Sequence, residues 1–369
     1  VLTSRSAPAL LAGAFVLFGL IAWVLRLPLG LDSAVYRSGA LAVLTGEPLY
    51  ERLAATPDWA VDLPFTYPPI AAVLFTPLAV LPTQSAWAVF AVSAALGVGA
   101  VLRWTTGRAA SPLLFVVAFS LEPVWRTVGY GQINVLLMAV VVFAVLRPSR
   151  FSGVLVGVAA AVKLTPLIFV LHLLVTGRTK DAGRALATFG GLQLLGFLLL
   201  PGDSVRYWGS AVFHGNNATG NGWYTNQSIS GAVQRLTGGA GWAPVLVAVL
   251  GGCCVTAAAV LARRAHLRGE ALGALLVTAF CGVLVSPISW THHWVWVVPL
   301  VALLGRSPVL VPVWAGFAAW PMLAPSGNVV VDNLYVLAAL AGGVVAWRRT
   351  RPDRAVRSAI AGDLPGRWG

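Results

Sequence analysis

Apolar runs bounded by proline, glycine or charge recur twelve times along this 369-residue chain, and that recurrence limits the fold more than any motif does. A helix needs about 20 mostly apolar residues to cross a bilayer. The runs lie at roughly 8–26, 67–82, 84–102, 110–124, 131–146, 151–176, 185–200, 243–262, 270–286, 293–304, 308–324 and 333–347. They predict an all-α, polytopic integral membrane protein with about twelve transmembrane helices in a single membrane domain over 1–369. The shorter runs must tilt, thin the bilayer or be shielded by protein. Only 10% of the residues are charged and mean hydropathy is +0.82, whereas a soluble domain carries roughly 25% charged residues. A water-soluble globule is excluded. The first run follows Arg5 without a small-x-small cleavage site and reads as an uncleaved span.

The net charge of +13 would suggest nucleic acid in a soluble protein, but here the positive-inside rule accounts for it. Arg178, Lys180 and Arg184, then Arg263, Arg264 and Arg268, then Arg348, Arg349, Arg351, Arg354 and Arg357 mark cytoplasmic segments, including a tail over 348–369. Counting spans from these places two long loops outside, 27–66 and 202–242, with both termini inside. The same count puts Arg103, Arg108, Arg147 and Arg150 outside, so the rule and the count conflict between 84 and 150. Cys253, Cys254 and Cys281 lie inside apolar runs and show neither a disulfide framework nor metal-ligand spacing.

Five of the twelve acidic residues, Asp32, Glu47, Glu51, Asp58 and Asp62, fall in the first outer loop. Ser33 to Thr45 reads as an interfacial helix ended by Gly46 and Pro48, with a short turn from Asp58 to Leu63. Asp32 directly follows the first span, where a lipid-borne head group would sit. It reads either as the helix N-cap or as a catalytic carboxylate. Tyr67-Pro68-Pro69 is an ordinary helix entry with an interfacial aromatic. Gln132 and Asn134 open the fifth span with two amides, and Glu122 and Arg126 stand four apart, as a helical ion pair requires.

Lys163 lies in an otherwise apolar run and costs about 2.5–3.5 kcal/mol there unless it finds a partner. It either snorkels or, with Pro166 opening the helix, binds an anionic phosphate. Asn216, Asn217, Asn221, Asn226, Gln227 and Ser228 make the second loop rich in groups that suit sugar hydroxyls, or simply water. His292 and His293, flanked by Trp290 and Trp294, are interfacial anchors or site residues. Adjacent histidines cannot form the i, i+4 zinc pair of a protease. No metal site and no cofactor is expected.

Taken in order, Asp32-x-x-x-Tyr36, Gly46-x-x-x-Tyr50, Tyr67-Pro68-Pro69, Gly131-Gln132-x-Asn134, Lys163-x-x-Pro166, Asn226-Gln227-Ser228 and Ser286-Pro287-x-x-Trp290-x-His292-His293 resemble glycosyltransferase family 87 over about 31 to 294. The resemblance implies a GT-C fold and a polyprenyl-phosphate-mannose-dependent α-mannosyltransferase of actinobacterial type. Its partners would be that lipid donor, a lipid-linked glycan acceptor of the phosphatidylinositol mannoside or lipomannan type, and membrane lipids, with no nucleic acid. The linkage implied is α-1,2, formed with inversion at the outer face of the plasma membrane. Asp32 matches the family's catalytic aspartate. Lys163, His292, His293 and Arg126 become candidates for the donor phosphate, and Tyr36, Tyr67, Gln132, Asn134, Asn226 and Gln227 for the substrates. The competing class is a lipid or sugar flippase, but it should carry ionisable residues near the midplane in two matched halves, and no halves match here. The tail beyond 305 adds nothing to the resemblance.

Overall fold

In a computed structural model, the described residues are 6–60, 63–108, 111–214, 222–305 and 307–350. Asp62, Asn216, Asn217, Asn221 and the tail arginines from Arg351 onward lie outside them. Among the described residues helices dominate, and one isolated bridge joins Asn226 to Trp290. The first half comprises α1 (Ser6–Val24), α2 (Leu31–Thr45), α3 (Pro69–Leu74), α4 (Thr83–Thr106), α5 (Pro112–Phe119), α6 (Glu122–Tyr130) and α7 (Asn134–Leu146). Then come α8 (Ser152–Val162), α9 (Ile168–Val175), α10 (Thr179–Leu199), α11 (Pro201–Arg206), α12 (Val212–His214) and α13 (Ile229–Thr237). The chain ends in α14 (Ala243–Leu267), α15 (Ala271–Val285), α16 (Val297–Leu304), α17 (Leu310–Leu323), α18 (Val329–Asp332) and α19 (Leu334–Thr350).

Among the described residues four helices, α1, α4, α10 and α14, are individually long and apolar enough to cross a membrane. The pair α5–α6 qualifies only as one element bent by 69°. Leu17, Trp23, Leu194, Leu198, Val245 and Val249 are exposed, an apolar perimeter that suits lipid rather than water.

The twelve-span count needs two corrections, and proline causes both. The expected span 67–82 is α3, six residues long, followed by a 3-10 turn at Thr76–Leu78. At about 1.5 Å per residue, six residues reach about 9 Å, far short of the ~30 Å hydrocarbon core. Pro77 and Pro82 stop the helix from continuing.

The expected span 151–176 is a hairpin. Pro166 sits in a 3-10 turn, Thr165–Leu167, between α8 and α9. Helices α8 and α10 run parallel: Gly153 abuts Asp181, Gly157 abuts Ala185 and Thr188, and Gln193 Nε2 donates to Ala161 O. Both ends of the hairpin therefore lie at the start of α10. Arg178, just past α9, donates to the carbonyls of Val145 and Ala144 at the end of α7.

These two changes remove the charge conflict. Helix α1 runs antiparallel to α4, with Gly19 against Ala88 and Gly99 against Pro8. Helix α4 runs parallel to α7, Gly97 meeting Val135 and Trp104 packing on Phe143 at 5.1 Å. Arg103 therefore lies at the end of the molecule that carries Arg147, with Arg108 and Arg150 at the adjoining helix termini. Arg263 reaches Val175 O from α14, and Arg264 covers the Trp347 ring of α19 at 4.5 Å. The basic helix ends thus gather on one face, and Arg103, Arg108, Arg147 and Arg150 share it with Arg178.

Helix α2 is more than interfacial. Eight of its residues are buried, among them Tyr36, which stacks on Phe75 at 4.8 Å and meets Phe90 edge-on at 5.2 Å.

Candidate active site

Helix α2 begins after Gly30, whose φ of 77° favours glycine and whose missing side chain leaves room for Ser33 and Trp87. Gly30, and not Asp32, is the N-cap, so the capping alternative for Asp32 falls away. Asp32 stands in the first turn and is partly exposed. Gly131 (φ 68°) ends α6 against the same Ser33, which delivers Gln132 to α2.

The Gln132 amide is oriented by two phenols. Its Oε1 accepts from Tyr36 at 2.6 Å and from Tyr67 at 3.2 Å, and the two hydroxyls lie 2.7 Å apart. With Oε1 so occupied, the Gln132 NH₂ is the group that hydrogen-bonds Asp32. Burial pushes the Asp32 carboxyl up to about 6, while that hydrogen bond and the positive charge of Lys163 pull it back.

Lys163 is the residue at which α8 ends, at the tip of the hairpin. Its Nζ donates to Asn134 Oδ1 at 2.8 Å, lies 3.3 Å from His293 Nε2 and sits 5.5 Å from the centre of the Tyr67 ring. Its offsetting partners are thus inside the protein. Eleven residues of α8 place this tip about 16 Å from the basic face. Beside it a narrow cavity is walled by Leu137, Met138, Phe169, Val283 and Trp296.

The histidines enter on a 3-10 segment, Thr291–Trp296. Their rings touch edge to face at 4.7 Å, with His293 toward Lys163 and His292 against Tyr130 at 5.3 Å. Asn134 Nδ2 and Thr127 Oγ1 both donate to His292 O, at 2.9 and 3.1 Å. Buried Glu122 clamps the turn: Oε1 accepts from Thr291 at 2.6 Å, Oε2 from Tyr335 at 2.9 Å, and Arg126 pairs with the same carboxylate. Arg126 is thus partnered, and its side chain remains 21% exposed, so part of it stays reachable.

The structure therefore gathers Asp32, Tyr36, Tyr67, Gln132, Asn134, Lys163, His292 and His293 into one connected set, with Arg126 at its edge. Asn226 and Gln227, expected to bind substrate, are fully buried and serve as braces. Asn226 accepts from Ser289 N at 2.9 Å and donates to Pro287 O at 3.3 Å. Gln227 donates to Tyr224 O and Asp332 O and accepts from Tyr335 N. They hold the strap that carries the histidines, because a buried amide must spend all its groups. Thr291 and Tyr335 escaped the sequence reading. Tyr335 lies beyond 305, in the part of the chain outside the resemblance. Its one legible signal was a tyrosine opening an apolar helix.

Chemically, the set offers a carboxylate able to take a proton and, across Gln132, a cation with two imidazoles able to face an anion. That division suits transfer of a group away from a phosphate.

Comparison with known proteins agrees. The model of Glycosyltransferase family 87 matches residues 65–287. A polyprenol-phosphate-mannose-dependent alpha-(1-2)-phosphatidylinositol pentamannoside mannosyltransferase of Mycobacterium tuberculosis (strain CDC 1551 / Oshkosh) is 39% identical over 325 residues, covering 82% of this chain and 73% of its own. A polyprenol-phosphate-mannose-dependent alpha-(1-2)-phosphatidylinositol mannoside mannosyltransferase of M. tuberculosis (strain ATCC 25618 / H37Rv) is 38% identical, covering 80% and 75%. A pentamannoside enzyme of Mycolicibacterium smegmatis (strain ATCC 700084 / mc(2)155) is 35% identical, covering 87% and 80%. No solved structure matches. The match over most of the chain, together with an all-helical apolar fold, establishes that this chain belongs to glycosyltransferase family 87, a family of membrane glycosyltransferases.

Proposed function

We propose that this chain transfers mannose from polyprenyl-phosphate-mannose to a phosphatidylinositol mannoside-type acceptor, forming an α-1,2 linkage with inversion. The relatives' names supply the donor and acceptor classes. The observation that carries the chemistry is the single connected set running from Asp32 through Gln132 and the tyrosines to Lys163, Asn134 and His293.

The acceptor hydroxyl attacks the anomeric carbon as Asp32 takes its proton. The bond from that carbon to the phosphate oxygen breaks, and polyprenyl phosphate leaves with the electron pair. Attack opposite the phosphate turns a β-linked donor into an α-linked product. Lys163, with His293, His292 and Arg126, balances the charge that grows on the leaving phosphate. No second carboxylate is needed, because no water has to be activated.

The orientation follows from charge. With the basic face in the cytoplasm, α1, α4, the bent pair α5–α6, α7, α10, α14, α15, α16 together with the 3-10 segment Thr291–Trp296 ahead of it, α17 and α19 cross the bilayer, and α8–α9 enters and returns. Asp32 and Lys163 then open to the outer side, within 27–66 and at the hairpin tip. The test is transfer by the purified protein in lipid discs, given radiolabelled polyprenyl-phosphate-mannose and a phosphatidylinositol mannoside. Labelled lipid product is expected from wild type and not from Asp32→Asn. Product formed equally well by Asp32→Asn, or none with this donor, would overturn the proposal.

A further inference from the structure

Far from the site, at the basic face, an open recess of about 510 Å³ lies between the α7–α8 turn and the start of α10. Arg150, Arg178, Lys180 and Arg184 line it, against the single carboxylate of Asp181. We propose that this recess holds the phosphate of an anionic membrane lipid whose chains lie along α10.

The recess is built, with its cations set in place. Asp181 accepts from Arg178 Nε at 2.9 Å and from Arg184 at 3.1 Å, so one acid orders two guanidinium groups. Arg178 is further fixed by the Ala144 and Val145 carbonyls, and its side chain is only 18% exposed. Arg150, lying over the Phe151 ring at 4.7 Å, and Lys180 pair with no carboxylate among the described residues. Two cations are thus ordered and two are free, an arrangement suited to a phosphate diester. The first turn of α10 adds unbonded backbone N–H groups, since no side chain caps it. The close fit of Gly153 and Gly157 on α10 keeps the two walls together.

A lipid phosphate rather than a free ion is favoured by what surrounds the recess. Phe151, which follows Arg150 in the chain, and Leu174, three residues before Gly177, are each about half exposed, and Leu186, Leu194 and Leu198 of α10 are exposed as well. A head group in the recess would leave its acyl chains on that apolar face. Basic pockets at helix ends on the cytoplasmic side bind anionic head groups in this way.

The experiment offers the full-length protein in detergent equimolar phosphatidylglycerol and phosphatidylcholine and counts bound lipids by native mass spectrometry. Wild type should retain phosphatidylglycerol preferentially. Arg150→Gln/Lys180→Gln should lose that preference by about 30-fold, two near-surface charges' worth. Arg103→Gln/Arg348→Gln, which removes equal charge elsewhere on the basic face, should keep it. Equal retention of both lipids, an unchanged Arg150→Gln/Lys180→Gln variant or an equal loss in the control pair would overturn the proposal. Displacement of the lipid by millimolar inorganic phosphate would reassign the recess to a free anion and overturn the lipid claim.

Discussion

In the proposed transfer, the Asp32 carboxyl, pushed up to about 6 by burial, must be ionised to take a proton from the acceptor. At pH 7 about one carboxyl in ten is protonated, and at pH 5 about nine in ten are. The transfer rate should therefore fall about tenfold from pH 7 to pH 5, with the midpoint near 6. Asp32→Asn removes the base, so the rate at pH 7 should drop at least ~100-fold and the profile should flatten. Lys163→Met removes the positive charge that holds the Asp32 carboxyl down, so its acid limb must move to higher pH. It should also raise the KM for the donor while leaving that for the acceptor little changed. Stability has its own sign. A carboxyl raised by burial makes the fold less stable as pH rises from about 4 through 6. Asp32→Asn lifts that penalty and costs no cap, because Gly30 is the N-cap. Its Tm at pH 7 should equal or exceed that of wild type. The assay is the initial rate of radiolabelled mannose transfer between pH 5 and 8, beside thermal unfolding of each variant. Retained turnover in Asp32→Asn, or a Lys163→Met limb displaced to lower pH, would refute the reasoning.

Glu122→Ala leaves Arg126 without its carboxylate and frees Thr291; breaking such a pair costs about 3–5 kcal/mol, visible as a lower Tm. Tyr335→Phe removes one hydrogen bond to Glu122, about 1.5–3 kcal/mol for a charged partner, and should lower kcat as the histidine turn loosens. Gly157→Val forces a side chain into Ala185 and Thr188, so α8 must move from α10; transfer should fall with Lys163 intact, and Gly190→Ala, placed in open space, should keep full activity. Cysteines introduced singly at the exposed positions Val205 and Thr179 in a Cys-free background should differ in labelling by an impermeant thiol reagent on intact cells, and equal labelling would refute the orientation argument.

Membership of the lipid phase was legible in the sequence, because a shortage of charge is a property of composition and needs no partner to be seen. So was the need of Lys163 for a partner, since a lysine in an apolar run must find an offsetting group wherever the chain takes it. The pairing of Glu122 with Arg126 was legible for the same local reason, a spacing of four on a helix. What proline does at Pro77 and Pro166 was visible only as a break. A break can end a span, kink it or turn it back, and only packing chooses among these. Gly153 and Gly157 let α8 lie parallel to α10, and that contact turned a predicted crossing into a hairpin and brought Lys163 to Asn134 and His293. Asn226 and Gln227 show the opposite case. Their side chains suit a sugar or a backbone equally well, and the tertiary fold spent them on the backbone. Tyr335 reached Glu122 across more than two hundred residues of chain. Local sequence carries the cost of burying a polar group, whereas the partner that meets that cost is set by how distant segments pack.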